Sequence, residues 1–168
     1  DMHFVEANVK TLGLEFNDEL RPQLYVDTDS DKSICHYFDS LDQSRPIIGL
    51  CIGNADPSFT NRWLRVGRVF PKAWGITKMH NLLDLLIKDG NQIVLIGGPQ
   101  EILLLEELTE FLKLPHVINL VGKCSIKQSM AAIKRCTCSI GIDTGMQHIA
   151  GALSVPTISI FGPTNPKY

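Results

Sequence analysis

The chain carries no excess of basic charge: 16 lysines and arginines stand against 18 acidic residues, a net charge of −2. Nucleic-acid binders usually show a strong positive footprint, so that class is set aside. Long apolar runs are missing as well. The longest are strand-sized, such as 93–96, far short of the roughly 18 residues that a membrane-spanning helix requires. The N-terminal stretch lacks the basic-then-apolar order of a secretory leader. Cysteine is unpatterned. Cys35, Cys51, Cys124, Cys136 and Cys138 make an odd set of five, without C-x-x-C and without a cysteine–histidine spacing suited to zinc. No metal site is expected, and a reducing, cytoplasmic compartment fits best.

Three common nucleotide and acyl-transfer signatures are also absent. The first apolar strand is followed by Gly53-Asn-Ala-Asp-Pro-Ser-Phe59 and not by G-x-G-x-x-G, so the usual dinucleotide cradle is missing. There is no G-x-x-x-x-G-K-[ST], which argues against a P-loop NTPase. The nucleophile elbow G-x-S-x-G of α/β-hydrolases is lacking too. No internal repeat and no low-complexity tract appears.

What is present is a regular alternation. From Pro46 onward, apolar runs at 47–52, 92–96, 117–120, 138–142 and 157–161 read as strands. Helical stretches separate them: one with Trp74, Met79, Leu82, Leu83 and Leu86 on a stripe, and others at 101–112, at 125–135 behind a Ser125 cap, and at 145–153. Strands alternating with helices and short connections imply a parallel sheet with right-handed crossovers. The fold expected is α/β, a Rossmann-like three-layer domain over 46–168. Residues 1–45 read as a connector with flanking helices and no core. One helix would span Phe4, Val5, Val9 and Leu12 up to Gly13, and a second, capped by the acidic tract 27–31, would cover 32–41.

The densest chemistry lies near the end. After the fourth strand comes Asp143-Thr144-Gly145-Met-Gln-His148, and after the fifth comes Gly162-Pro163-Thr164-Asn-Pro166. Both turns would lie at the C-terminal ends of parallel strands, where open α/β sheets take their ligands. The first turn also opens a helix, whose free N–H groups favour an anion. An acid, a hydroxyl and a histidine beside such a turn point to a phosphorylated, hydroxyl-rich ligand, that is, a sugar nucleotide.

These residues resemble the signature of glycosyltransferase family 9, the ADP-heptose:lipopolysaccharide heptosyltransferases and their relatives. The resemblance is carried by Asp143-Thr-Gly-Met-Gln-His148, Val155-Pro156 and Phe161-Gly-Pro-Thr-Asn-Pro166. Upstream, Arg68-Val-Phe-Pro71-x-x-Trp74 is similar to a basic-x-aromatic-Pro element in which lysine is usual, and Gly97-Gly-Pro-Gln-Glu101 and Val121-Gly-Lys-Cys-Ser125 match two further turns. The likeness is good from Pro46 to the end and loose before it. It implies the C-terminal, donor-binding half of a GT-B enzyme, with the acceptor and the catalytic base on an absent N-terminal domain. It further implies inverting sugar transfer from a nucleotide-sugar, ADP-heptose by default, to a lipid-linked surface glycan. No separate cofactor is implied, and the whole enzyme would work at the cytoplasmic face of the inner membrane, touching it only peripherally. A nucleotide-sugar epimerase of the same scaffold and a non-catalytic nucleotide-sugar-binding module are the alternatives.

Carried over residue by residue, Asp143, His148 and Arg68 would serve the reaction. Arg68, Glu101, Cys124, Asp143, Thr144, Gly145 and His148 would bind the donor. Thr144 and Gly145 would offer N–H groups and a hydroxyl to the diphosphate, assisted by Arg68. Asp143 would accept from sugar hydroxyls, Glu101 from the ribose, and Cys124 would set its backbone near the base. His148, one turn after Gly145, would face back to the phosphate. Each has a plainer reading: Arg68 as a solvated loop arginine, Glu101 as a charge at a helix start, Asp143 as an N-cap and His148 as a structural residue. Asn54, Ser58 and Thr60 are further phosphate candidates, Gly162 and Thr164 would shape the second turn, and Trp63 and Trp74 read as packing residues.

Overall fold

The computed structural model describes residues 4–17, 22–53 and 74–161 of the 168-residue chain. Five strands form its centre: β1 (Ile47–Cys51), β2 (Gln92–Ile96), β3 (Val117–Asn119), β4 (Cys138–Ile142) and β5 (Thr157–Ile160). They make one all-parallel sheet in the order β3-β2-β1-β4-β5. The helices are α1 (Phe4–Thr11), α2 (Thr28–Cys35), α3 (Ile76–Lys88), α4 (Ile126–Lys134) and α5 (Gly145–Ala152).

Side chains alternate across a strand, so each central strand feeds two cores. Ile47, Cys51, Val94 and Ile96 face a cluster made with Ile34 of α2, Ala131, Ala132 and Ile133 of α4, and Ala150 of α5. Ile48, Leu50, Ile93, Leu95 and Ile140 face the other way, toward Met79 and Leu83 of α3 with Leu108 and Phe111. Burial on both faces is why β1 and β2 read as unbroken apolar runs. The expected three-layer α/β architecture is present.

Three expectations are corrected. The stretch 101–112 is not an α-helix but two 3-10 segments, Pro99–Leu108 and Phe111–Lys113. Its four consecutive apolar residues, 102–105, carry no 3.6-residue stripe, so the hydrophobic period could not choose between helix types. Trp74 lies outside α3, because Gly75 at φ 83° turns the chain just before the helix begins; it packs, half-buried, against the second core. The second helix covers Thr28–Cys35, with a 3-10 turn over His36–Phe38, and not 32–41, so the acidic tract caps it only through Asp27 and otherwise lies inside it. Asp27 caps α2 by accepting from Ser30 N at 2.8 Å, and Asp29 and Asp31 occupy the first turn, where the helix dipole favours them.

The segment before β1 also supplies core, contrary to its reading as a mere connector. Ile34 is fully buried, and Phe38 and Leu41 nearly so. The Gln92 amide at the start of β2 ties it down, accepting from Asp42 N at 2.8 Å and donating to Asp42 O at 2.7 Å. Arg135, at the end of α4, grips Asp31 with two bonds of 2.9 and 2.8 Å while its guanidinium lies 5.7 Å from the Phe38 ring centroid. The pair is half-exposed, so Arg135→Met is expected to cost about 1 kcal/mol. Urea denaturation at low and high salt checks this, with the difference shrinking as salt screens the pair.

Candidate functional site

The order β3-β2-β1-β4-β5 reverses direction between β1 and β4, and the C-terminal ends of those strands are where such sheets hold ligands. Four of the expected residues meet at the end of β4. Asp143 N donates to Ile160 O at 3.3 Å, fixing the turn against β5. Thr144 is the N-cap of α5, in extended conformation, and its side chain makes no capping bond. The cap is therefore Thr144 and not Asp143, which corrects the plainer reading of that acid. The Thr144 hydroxyl is buried and has no partner among the described residues. Gly145 leads the helix, and a methyl group added there would meet no atom within 4 Å among those residues.

His148 Nε2 stands 3.5 Å from Asp143 Oδ1, with the histidine side chain 77 % exposed and the aspartate 18 % exposed. Together they border a cavity of about 770 Å³ whose walls include Gln147, Ser154, Ser159 and Phe161. That volume lies within the usual range for small-molecule sites.

Glu101 follows the turn after β2. It is 3 % exposed, and its Oε2 accepts from Gly98 N at 2.7 Å, so the glutamate does close the start of its own segment. It also fills the space beside Gly53 at the end of β1, where a Cβ would stand 2.0 Å from Glu101 Cγ. Gly122 N donates to Gly97 O at 2.9 Å, tying the turn after β3, which leads to Cys124, to the turn that carries Glu101. Burial raises the pKa of the Cys124 thiol, an effect that nearby Lys123 partly offsets. Among the described residues no cluster suited to a metal ion occurs, and no helix is long and apolar enough to cross a membrane. Arg68, Asn54, Ser58, Thr60, Trp63, Gly162 and Thr164 lie outside the described residues.

Two positions escaped the sequence reading. Gly53 is needed because Glu101 occupies the place of its side chain, a contact across 48 positions that no local pattern displays. Gln147 is a buried polar residue on the core side of α5, hydrogen-bonded to Ser139 of β4. A glutamine three positions before a core alanine was a visible signal.

Sheet order, helix-opening turn and flanking layers define a Rossmann-like α/β domain with its topological switch point between β1 and β4. The chain belongs to glycosyltransferase family 9 (heptosyltransferase), whose family model matches residues 2–168. Lipooligosaccharide heptosyltransferase 2 of Haemophilus influenzae is 31 % identical over 161 residues, which is 89 % of this chain and 41 % of that protein. Lipopolysaccharide heptosyltransferase 2 of Escherichia coli is 29 % identical over 153 residues, covering 89 % and 40 %. Among solved structures, E. coli ADP-heptose LPS heptosyltransferase II superposes with a TM-score of 0.69 at 27 % identity, over 91 % of this chain and 44 % of that one. A family 9 glycosyltransferase from Veillonella parvula shares the fold at a TM-score of 0.74 and 23 % identity, over 95 % and 43 %. The chain thus spans less than half the length of these relatives.

Proposed function

We propose that this chain is the donor-binding half of an inverting glycosyltransferase, one that moves a sugar from a nucleotide-sugar to a lipopolysaccharide or related surface-glycan acceptor. The observation that carries this reading is the first turn of α5, where a Cβ at Gly145 would meet no described atom within 4 Å and the buried Thr144 hydroxyl has no partner among the described residues, beside the Asp143–His148 pair. The donor proposed is ADP-heptose, in line with the names of the relatives. The whole enzyme would act at the cytoplasmic face of the inner membrane. Its acceptor and catalytic base would lie in a part of the protein that this chain does not include.

In this reading the N–H groups of Gly145 and Met146 and the Thr144 hydroxyl receive the diphosphate. They stabilise the charge that grows on it as the glycosidic bond to the anomeric carbon breaks. A helix end supplies only about 0.3–2 kcal/mol toward an anion, so Arg68 is assigned as its charged partner. Asp143 accepts from sugar hydroxyls and His148 borders the phosphate. Glu101 serves the ribose and the backbone at Cys124 the base.

Calorimetric titration of the 168-residue chain with ADP, UDP and their sugars is the test. Selective ADP binding is expected. A UDP preference would move the assignment toward an epimerase, and no nucleotide binding would overturn it. Asp143→Asn keeps the shape and removes the charge. It is expected to weaken ADP-heptose binding about tenfold or more while leaving ADP itself little changed, since hydrogen bonds to charged groups contribute about 1.5–3 kcal/mol. Equal ADP-heptose affinity in the variant would refute the sugar contact.

A further inference from the structure

Gln147 sits on the side of α5 that faces the sheet and is 5 % exposed, yet it carries an amide. Its Nε2 donates to Ser139 Oγ at 3.2 Å, and Ser139 is itself fully buried in the middle of the sheet. The Cys51 thiol of β1 lies 3.9 Å from the same hydroxyl. The slot for the amide exists because position 141 is glycine. A Cβ there would stand 2.5 Å from Gln147 Nε2 and 2.9 Å from Cys51 Cβ. Gln147 Oε1 is buried with no partner among the described residues. Burying an acceptor without a donor opposes folding, and methionine would fill nearly the same volume without that penalty. Stability alone does not explain an amide here.

What the amide supplies is direction. Its bond joins a strand hydroxyl to the first turn of α5, while the backbone N–H of the same residue donates to Thr144 O at 3.0 Å and closes that turn. One residue therefore both closes the turn and pins it to β4. Hydrogen-bonded polar groups in a core fix one arrangement where apolar packing tolerates several.

We propose that Gln147 is a positioning residue for the phosphate mouth: through Ser139 it holds the first turn of α5 at the depth and rotation that let the Gly145 and Met146 N–H groups converge on a diphosphate. The inference rests on the nucleotide-sugar reading above and adds to it the residue that aims the site.

The test titrates the 168-residue chain with AMP and with ADP and takes the ratio of the two dissociation constants, which isolates the second phosphate. Partial unfolding of a variant scales both apparent constants alike, so a purely structural role leaves the ratio where it was. Gln147→Met is expected to lower the AMP-to-ADP ratio about tenfold, the order of loss that follows when a recognition group is misplaced by a fraction of an ångström to one ångström. Ser139→Ala, which removes the anchor and leaves the glutamine, should act in the same direction and carries the test if the first variant does not fold. The double variant should resemble either single one, since both remove the same bond. An unchanged ratio in variants of a wild type that binds ADP overturns the role of Gln147 alone. A wild type that binds neither nucleotide overturns the donor-site reading, and this role with it.

Discussion

Alanine at position 53 is expected to destabilise the chain by about 2–3 kcal/mol and to abolish tight nucleotide binding. The new methyl carbon would stand 2.0, 2.5 and 2.6 Å from Glu101 Cγ, Oε1 and Cδ, distances no packed core permits. The glutamate cannot simply swing aside, because it is 3 % exposed and its other oxygen accepts from Gly98 N at 2.7 Å. Moving it breaks that bond and removes the carboxylate assigned to the ribose. Urea denaturation measures the first effect and ADP titration the second. A double-mutant cycle with Glu101→Ala tests the cause. If the clash is responsible, the pair of substitutions costs clearly less than the sum of the single ones. Additive costs would place the defect elsewhere.

The second large effect is expected at Ile34. This residue is fully buried between α4 and the sheet, in a cluster with Ala131, Ala132 and Ile133. Ile34→Ala should cost about 2–5 kcal/mol, the range for emptying a packed aliphatic site. Equilibrium unfolding in urea reads it directly. Leu12→Ala, at a position 74 % exposed in the same front section, serves as the contrast and should fall within about 0.5 kcal/mol of the parent. If Ile34→Ala behaved like Leu12→Ala, residues 28–41 would be a detachable appendage and not part of the folding unit.

The strands were the most legible part of the fold. Ile47–Cys51, Gln92–Ile96 and Cys138–Ile142 appear within a residue of where continuous apolar runs put them, because a strand covered on both faces needs no polar alternation. The Ser125 cap of α4 was legible too, and it is matched by a reciprocal bond from Ser125 N to Gln128. Residues 99–113 were not, since an apolar quartet has no periodicity to read. The helix α2 was legible in kind but not in its bounds, since only Asp27 of the acidic tract is the cap, and only the tertiary contact of Ile34 shows which of its faces is inside.

At the site, the turn Asp143-Thr144-Gly145 could be read because a strand, a small polar triplet and a helix follow one another locally. The identity of the N-cap could not, because aspartate and threonine are both good caps and adjacent. Gly53 and Gly141 were opaque for a different reason. Each is glycine on account of a side chain that arrives from another element, Glu101 in one case and Gln147 in the other.

The position of β1 has a consequence for how the chain comes into being. It is the central strand, yet Ile47 N meets Thr137 Oγ1 90 positions downstream, and Ile48 pairs with Cys138. During synthesis β1 leaves the ribosome long before its β4 neighbour exists. One flank of an entirely greasy ribbon stays bare until the later segments are translated. Such distant pairing makes folding slow relative to a helical protein of equal size. For that interval the uncovered strand is the kind of apolar surface that holdase chaperones shield.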